Sequence, residues 1–334
     1  MKKSLLALAA LGAFAGAAFA QSSVTMYGLI DANVGKDIGS AQKRMGQGAS
    51  SRLGWRGVED LGGGMQAFFQ LENRFTPNNG VMNGGAGVPN GSPTTQFQAR
   101  SFVGLRGGFG EVRLGREYNG AFFHGEVMGD AWGWDTVAFT IFGGIQRSAV
   151  GQHTNVNNSI TYNSPNMSGF SFSAQIAESN QNCGAKTWSA AATGTTFGTC
   201  ADRPKAFGVS YAAGPFAIRM GMNNPGNVND NWTSINSQYD FGAFKLWGFM
   251  GTGKDTTAAK HKAYTLQATM PMGAAEFRVG MSKRSVGGVT NVSGLGLAYF
   301  YSLSKRTTLY TDFARNSKAA TEKSGYDFGV KHTF

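Results

Sequence analysis

Residues 51–75 read SRLGWRGVEDLGGGMQAFFQLENRF, two arms of alternating character joined by a glycine-rich centre. On the first arm Leu53, Trp55 and Gly57 alternate with Arg52, Gly54 and Arg56; on the second Met65, Ala67, Phe69 and Leu71 alternate with Gln66, Phe68, Gln70 and Glu72. A period of two belongs to a β-strand. Gly62, Gly63 and Gly64 can take the positive φ of a tight reversal, so the unit predicts a β-hairpin. One face is apolar, and the other carries Arg52, Arg56, Gln66, Gln70, Glu72 and Arg74. In a soluble sandwich the apolar face would turn into a core. In a membrane barrel it would turn to lipid, with the polar face lining a wet lumen. The hairpin alone fits both.

The ends and the composition narrow the choice. Met1-Lys2-Lys3 is a short basic start, Leu5 to Phe19 is apolar, and Ala18-Phe19-Ala20 places small residues at a cleavage position. Residues 1–20 therefore read as a secretory signal peptide cut after Ala20, leaving residues 21–334 as one domain. The apolar run is shorter than the roughly 20 residues of a spanning helix. No later run is long enough to cross as a helix, so the mature chain is either exported and soluble or a β-barrel. Glycine is frequent, 49 residues against 8 prolines, which suits many turns between strands. The formal net charge is +11, or +9 without Lys2 and Lys3. The basic residues are dispersed rather than clustered, which argues against a nucleic-acid partner. Cys183 and Cys200 lie in a polar segment with no histidine nearby in sequence, and in an oxidising compartment they form a candidate disulfide rather than a metal site.

The alternation recurs along the chain. A first strand covers Val24 to Val34, and a long loop follows the opening hairpin from Thr76 to Thr95. Gln96 to Arg106 and Phe109 to Tyr118 form a second hairpin, and Asn158 to Ser164 with Gly169 to Glu178 a third. Strand pairs follow at 207–211 with 216–222, 232–239 with 243–251, 264–270 with 277–281, and 295–303 with 309–313; the last strand is 326–334. The pair around Asp240 has mixed parity because of Trp247 and Phe249. Between Asn119 and about Asn157 the alternation stops, and so long an irregular stretch points to a functional loop. The sum is an all-β chain of about sixteen strands with short turns alternating with long loops. That is the pattern of a transmembrane antiparallel β-barrel, closed so that no edge is exposed and too wide for side chains to fill.

VTMYGLIDANV near the start, SRLGWRGVEDLGGGMQAFFQLE, RSFVGLRGGFGEVRLGRE, NNSITYNSPNMSGF, YSLSKRTTLYTDFA and the terminal GVKHTF together resemble the general porins of Gram-negative outer membranes, of the β-proteobacterial type. The resemblance implies a sixteen-stranded barrel in the outer membrane, a homotrimer, contact with outer-membrane lipid and lipopolysaccharide, and a third external loop folded inward as a constriction. It also implies delivery to the barrel-assembly machinery through the last strand, whose terminal aromatic is Phe334. No cofactor is implied.

A pore for small hydrophilic solutes needs a constriction whose width and field select what enters, not a nucleophile. The loop 119–147 is the candidate, with Glu126, Asp130 and Asp135 as its acids. By resemblance Arg52, Arg100 and Arg147 match the family's basic cluster; strand parity adds Arg74 and strand position adds Arg116. With a mature charge of +9, the expected selectivity is weakly for anions. A solute-specific channel with a binding track is the rival reading. A barrel-embedded lipase is a more distant one, because His124, His153, His261 and His332 are scattered and stand in no recognised Ser, His and acid frame.

Overall fold

The computed structural model describes residues 22–82, 96–146, 154–178, 203–226, 229–255 and 257–334. The expected signal peptide, Arg147, His153, Cys183 and Cys200 lie outside these residues. The strands are β1 Ser23–Lys36, β2 Lys43–Gly46, β3 Arg52–Gly62, β4 Met65–Arg74, β5 Arg100–Gly107, β6 Gly110–Tyr118, β7 Asn155–Asn163, β8 Phe170–Ala177 and β9 Lys205–Ala213. They continue as β10 Phe216–Asn224, β11 Asn231–Asp240, β12 Lys245–Lys254, β13 Lys260–Met272, β14 Ala275–Val286, β15 Val289–Ser302, β16 Thr307–Asn316 and β17 Ser324–Thr333.

Neighbours along the chain pair antiparallel, and β17 returns to β1 in a register running from Leu29 opposite Thr333 to Lys36 opposite Tyr326. Both β2 and β3 pair with β1, the former with Asn33–Lys36 and the latter with Ser23–Leu29. They are therefore two halves of one barrel strand, and the described residues form a closed antiparallel barrel of sixteen strands. Asp31 holds the break between the halves. Its two carboxylate oxygens accept the Gly48 and Ala49 N–H groups, each at 2.9 Å, and one also accepts the Tyr310 hydroxyl. Backbone groups released by the interruption are thus satisfied.

Apolar parity points outward. On β13 Tyr264, Leu266 and Met270 are exposed, while Thr265, Gln267 and Thr269 between them are buried. On β17 Tyr326, Phe328 and Val330 are exposed around Asp327, which is 0% exposed. This inverts a soluble protein and matches hydrocarbon outside and polar groups inside. Aromatics near strand ends do not all belong to an outer girdle. Phe216, Tyr239, Tyr301 and Phe334 are exposed there. Tyr27 and Phe102 turn inward, the first donating its hydroxyl to Glu72 at 2.9 Å and the second buried beneath Arg113. Among the short turns, Gly62, Gly63 and Gly64 all have positive φ, and Gly62 N–H donates to Asp60 Oδ1.

The largest apolar cluster lies inside the barrel. Residues 119–146 fold inward through short helical turns at Phe122–Glu126, Val127–Gly129, Val137–Thr140 and Gly143–Ile145. Trp132, Val137, Ile141 and Phe142 from this loop are buried with Ala298, Phe300, Tyr310 and Ala314 from the wall. Trp132 and Phe142 stack at 4.5 Å between ring centroids.

Candidate permeation site

Four adjacent strands carry one polar, cationic face. The register sets Arg52 opposite Arg74, Gly54 opposite Glu72, Arg56 opposite Gln70 and Glu72 opposite Arg100. It continues with Gly104 opposite Arg113 and Arg106 opposite Glu111. Side chains two apart on a strand share a face, so these residues point inward together. Gly54 makes room for Tyr27: a Cβ there would come within 2.3 Å of the Tyr27 ring.

Wall acids and aromatics fix the arginines. Arg100 Nε lies 2.8 Å from Glu117 Oε1, its Nη1 donates to Gln70 Oε1 at 3.0 Å, and its guanidinium sits 4.3 Å from the Tyr118 ring centre. Arg113 bridges Glu111 and Glu117. Arg74 is 3.6 Å from Glu72 and donates to the Tyr118 hydroxyl. Arg52 makes no ion pair among the described residues, although it faces Arg74. Like charges directly opposite repel. An anion in the lumen would relieve that repulsion.

Arg116 stands apart. It lies opposite Ser101, on the parity of the exposed Leu114, and donates to the Gln98 carbonyl and the Asn157 side chain. Its guanidinium ties strand ends and reaches none of the wall acids. Arg113 and Glu117 were missing from the sequence expectation, and Glu72 was placed on the polar face without a role at the constriction. Parity counting along β6 from Glu111 was the signal that could have found Arg113 and Glu117.

Two of the loop's acids hold the loop in place. Asp130 is buried and accepts the N–H groups of Trp132 and Trp134 at 3.1 and 2.9 Å. Burial nevertheless pushes its carboxyl up to about 6. Asp135 reaches Lys331 on β17 at 3.2 Å, and Glu126 is buried within the wide turn at 122–126. Among the described residues neither Asp130 nor Asp135 contacts Arg52, Arg74 or Arg100. His124, in the same turn, is pulled down to about 4 by burial and then by Arg219.

The loop lies against the far wall because that wall is shaved to glycine beneath it. A Cβ on Gly208 would come within 2.7 Å of His124, on Gly221 within 2.5 Å of the Ala121 carbonyl, and on Gly296 within 2.5 Å of Phe142. Gly325 meets Val137 in the same way. Polar anchors complete the seating. Ala131 N–H donates to Gln267 Oε1 at 2.8 Å, Val137 N–H to Asp327 Oδ2 at 2.8 Å, and Trp132 Nε1 to Asp312; the wall residue Trp232 donates its Nε1 to the Gln146 carbonyl at 2.9 Å. The loop thus occupies the side of the lumen from β9 to β17 and faces the arginines of β3 to β6. A cleft of about 180 Å³ lies between the start of the loop and β5 to β8, lined by Arg100, Glu111, Arg113, Glu117, Phe123 and His124 among others. Among the described residues no three His, Cys, Asp or Glu side chains converge as metal ligands.

A family model described as "Gram-negative porin" matches residues 7–321. Outer membrane porin protein 32 of Delftia acidovorans is 31% identical, with all of both chains covered. An outer membrane porin protein of Bordetella pertussis is 29% identical, again over the full length of both. Among solved structures, the anion-selective porin from Comamonas acidovorans superposes with a TM-score of 0.73 at 28% identity, covering 94% of this chain and all of that one.

Proposed function

From the premise that this chain belongs to the Gram-negative porin family, we propose that ions and small hydrophilic solutes cross its outer-membrane barrel between the inward loop and the arginine wall. The protein is an outer-membrane porin, a channel for passive diffusion. The narrow point is set on one side by Arg52, Arg74, Arg100 and Arg113 and on the other by the loop that carries Glu126, Asp130 and Asp135. The observation that carries this reading is the one-sided wall: four strands place their guanidinium groups inward in register, and among the described residues Arg52 has no acid bonded to it. Such a field favours anions, and the anion-selective porin from Comamonas acidovorans is similar in fold and sequence. Selectivity is weak because wall acids compensate most of the arginines.

Passage is passive and no chemistry is performed. Among the described residues the buried histidine beside an acid is His261, which takes Asp255 on Nε2 at 2.9 Å but meets Arg284 on Nδ1 at 2.7 Å. Guanidinium is no nucleophile, so this is not a hydrolytic frame. His332, on the outer face, bonds only Thr307 Oγ1 among the described residues. The functional unit is a homotrimer, exported with cleavage after Ala20 and assembled through the strand ending at Phe334. The test is a planar bilayer with purified protein under a salt gradient. Stepwise insertions in triplets and a reversal potential on the anion side support the reading; single-step insertions would count against the trimer, and cation preference would overturn the selectivity. Saturable block by one solute class would favour a solute-specific channel instead.

A further inference from the structure

β6, β10 and β14 each place an inward arginine at their fourth residue: Arg113, Arg219 and Arg278. These strands stand four apart in a barrel of sixteen, so the arginines follow one another at quarter-turns, at one level counted from the short turns. The local sequences match in form, GEVR on β6, AEFR on β14 and FAIR on β10. Two residues before the arginine, on the same face, β6 has Glu111 and β14 has Glu276, which lie 2.5 and 2.7 Å from their arginines. At that position β10 has Ala217.

Arg219 is therefore a cation without its acid. Among the described residues it makes no ion pair, and its Nη1 is buried with no hydrogen-bond partner. Asp240, at the end of the neighbouring β11, is held by Lys245 at 3.3 Å. A buried donor of a charged group is costly to leave unmet, and only the lumen can supply an acceptor. Ser210 lies directly opposite Arg219 on β9, and Ser171 opposite Ser210 on β8. Their hydroxyls share one hydrogen bond of 2.8 Å, so the accepting hydroxyl keeps a hydrogen to give. On the other side Asn236 spends its amide group on the loop carbonyls of His124 and Gly125, at 3.2 and 2.8 Å. Two residues further from the short turns, Gly208 and Gly221 carry the loop, so this row lies directly beneath it.

The geometry points to Arg219, with the Ser171 and Ser210 hydroxyls, as a second anion station, a specificity-determining site for small carboxylates on the periplasmic side of the loop. The inference rests on the channel reading above and adds a residue on the wall that the loop covers, across the lumen from the arginines of β3 to β6. A planar guanidinium fork with a hydroxyl donor beside it matches the two oxygens of a carboxylate and offers chloride only its charge. The station thus sorts anions by shape as well as by sign. Because it lies toward one mouth of the channel, it concentrates anions arriving from the periplasmic side more than those arriving from outside.

The test records the purified mature protein in planar bilayers with potassium chloride on one side and potassium acetate on the other, then with the sides exchanged. Arg219→Gln should lower the acetate-over-chloride permeability ratio by roughly twofold to fivefold and remove the difference between the two orientations, while channels still insert in chloride. Ala217→Glu, which leaves the arginine in place and supplies the acid present on β6 and β14, should do the same. Arg219→Lys should keep the anion-over-cation ratio and lose the acetate preference, because the charge remains and the fork does not. An acetate-over-chloride ratio unmoved in both Arg219→Gln and Ala217→Glu would overturn the proposal. So would one altered conductance step and one set of ratios shared by Arg219→Lys and Arg219→Gln, which would make Arg219 a prop for the loop. Cation preference or absent steps in the unaltered protein would sink the channel reading itself, whereas an anion-preferring channel whose ratios ignore residues 217 and 219 sinks only the second station.

Discussion

Arg100 is held from three directions, by Glu117, by Gln70 and by the face of Tyr118, so its charge is fixed at one point of the lumen wall. A unit charge about 8 Å from a passing ion in water is worth ~0.5 kcal/mol, with opposite sign for anion and cation. Arg100→Ala should therefore lower the anion-over-cation permeability ratio by roughly twofold to fivefold before screening, read from the reversal potential in a salt gradient. Arg116→Ala should leave that ratio unchanged, because its guanidinium serves Gln98 and Asn157. Two residues of the loop give opposite pH slopes. His124, pulled down to about 4, favours docking above its free value of 6.5 and withdraws that support as pH falls through 4. Asp130, pushed up to about 6, favours docking below its free value of 3.8 and withdraws support as pH rises through 6. Between pH 6.5 and 4, amide protection of residues 122–142 should thus fall on acidification in Asp130→Asn and rise in His124→Gln. Hydrogen exchange checks this, and equal slopes in the two variants would refute it. Parity made Arg52 and Arg74 legible in the sequence as one face, and the resemblance to the porins added Arg100. It could not say that Asp130 caps its own loop or that Asp135 reaches Lys331, because both depend on a fold without periodicity.

Among elements, the loop at 119–146 and the wall beneath it are made for each other. Gly296→Ala would bring a methyl within 2.5 Å of Phe142, and overpacking of that kind costs about 1–3 kcal/mol. Displacing the loop from the wall should change the single-channel conductance step; an unchanged step in Gly296→Ala would mean that the loop does not set the pore. Trp132→Ala removes the centre of the buried cluster, a loss of ~3–5 kcal/mol in comparable cores, and should leave residues 130–142 unprotected in hydrogen exchange while the barrel strands stay protected. The same packing explains why β11 and β12 read poorly from sequence. Trp232 and Phe249 are inward and almost fully buried, against Ile145 of the loop. Aromatic residues on the lumen parity look like noise until the loop that covers them is in place. The short β2 was hidden for a different reason: its residues, KRMG, carry no alternation, and its end is fixed by Asp31 from another strand. Hairpins with glycine turns and clean parity, such as β3 with β4 and β13 with β14, were legible because both signals are local.

For the whole molecule, everything turns on the side to which the apolar rows are presented. The sequence carried this inversion because alternation, a long polar parity and alternating short and long connections fit a closed membrane barrel and no packed sandwich. The described strands agree, with Tyr264, Leu266 and Met270 exposed and Thr265, Gln267 and Thr269 buried on β13. The most direct measurement is a cysteine scan of residues 264–270 in a Cys183→Ser, Cys200→Ser background, reconstituted in liposomes. Fluorophores attached at 264, 266, 268 and 270 should be quenched from within the bilayer by lipid-borne quenchers, while those at 265, 267 and 269, on the lumen parity beneath the inward loop, should be shielded from them. The opposite pattern, with the odd positions quenched and the even ones shielded, would contradict the channel, its arginine wall and its inward loop together.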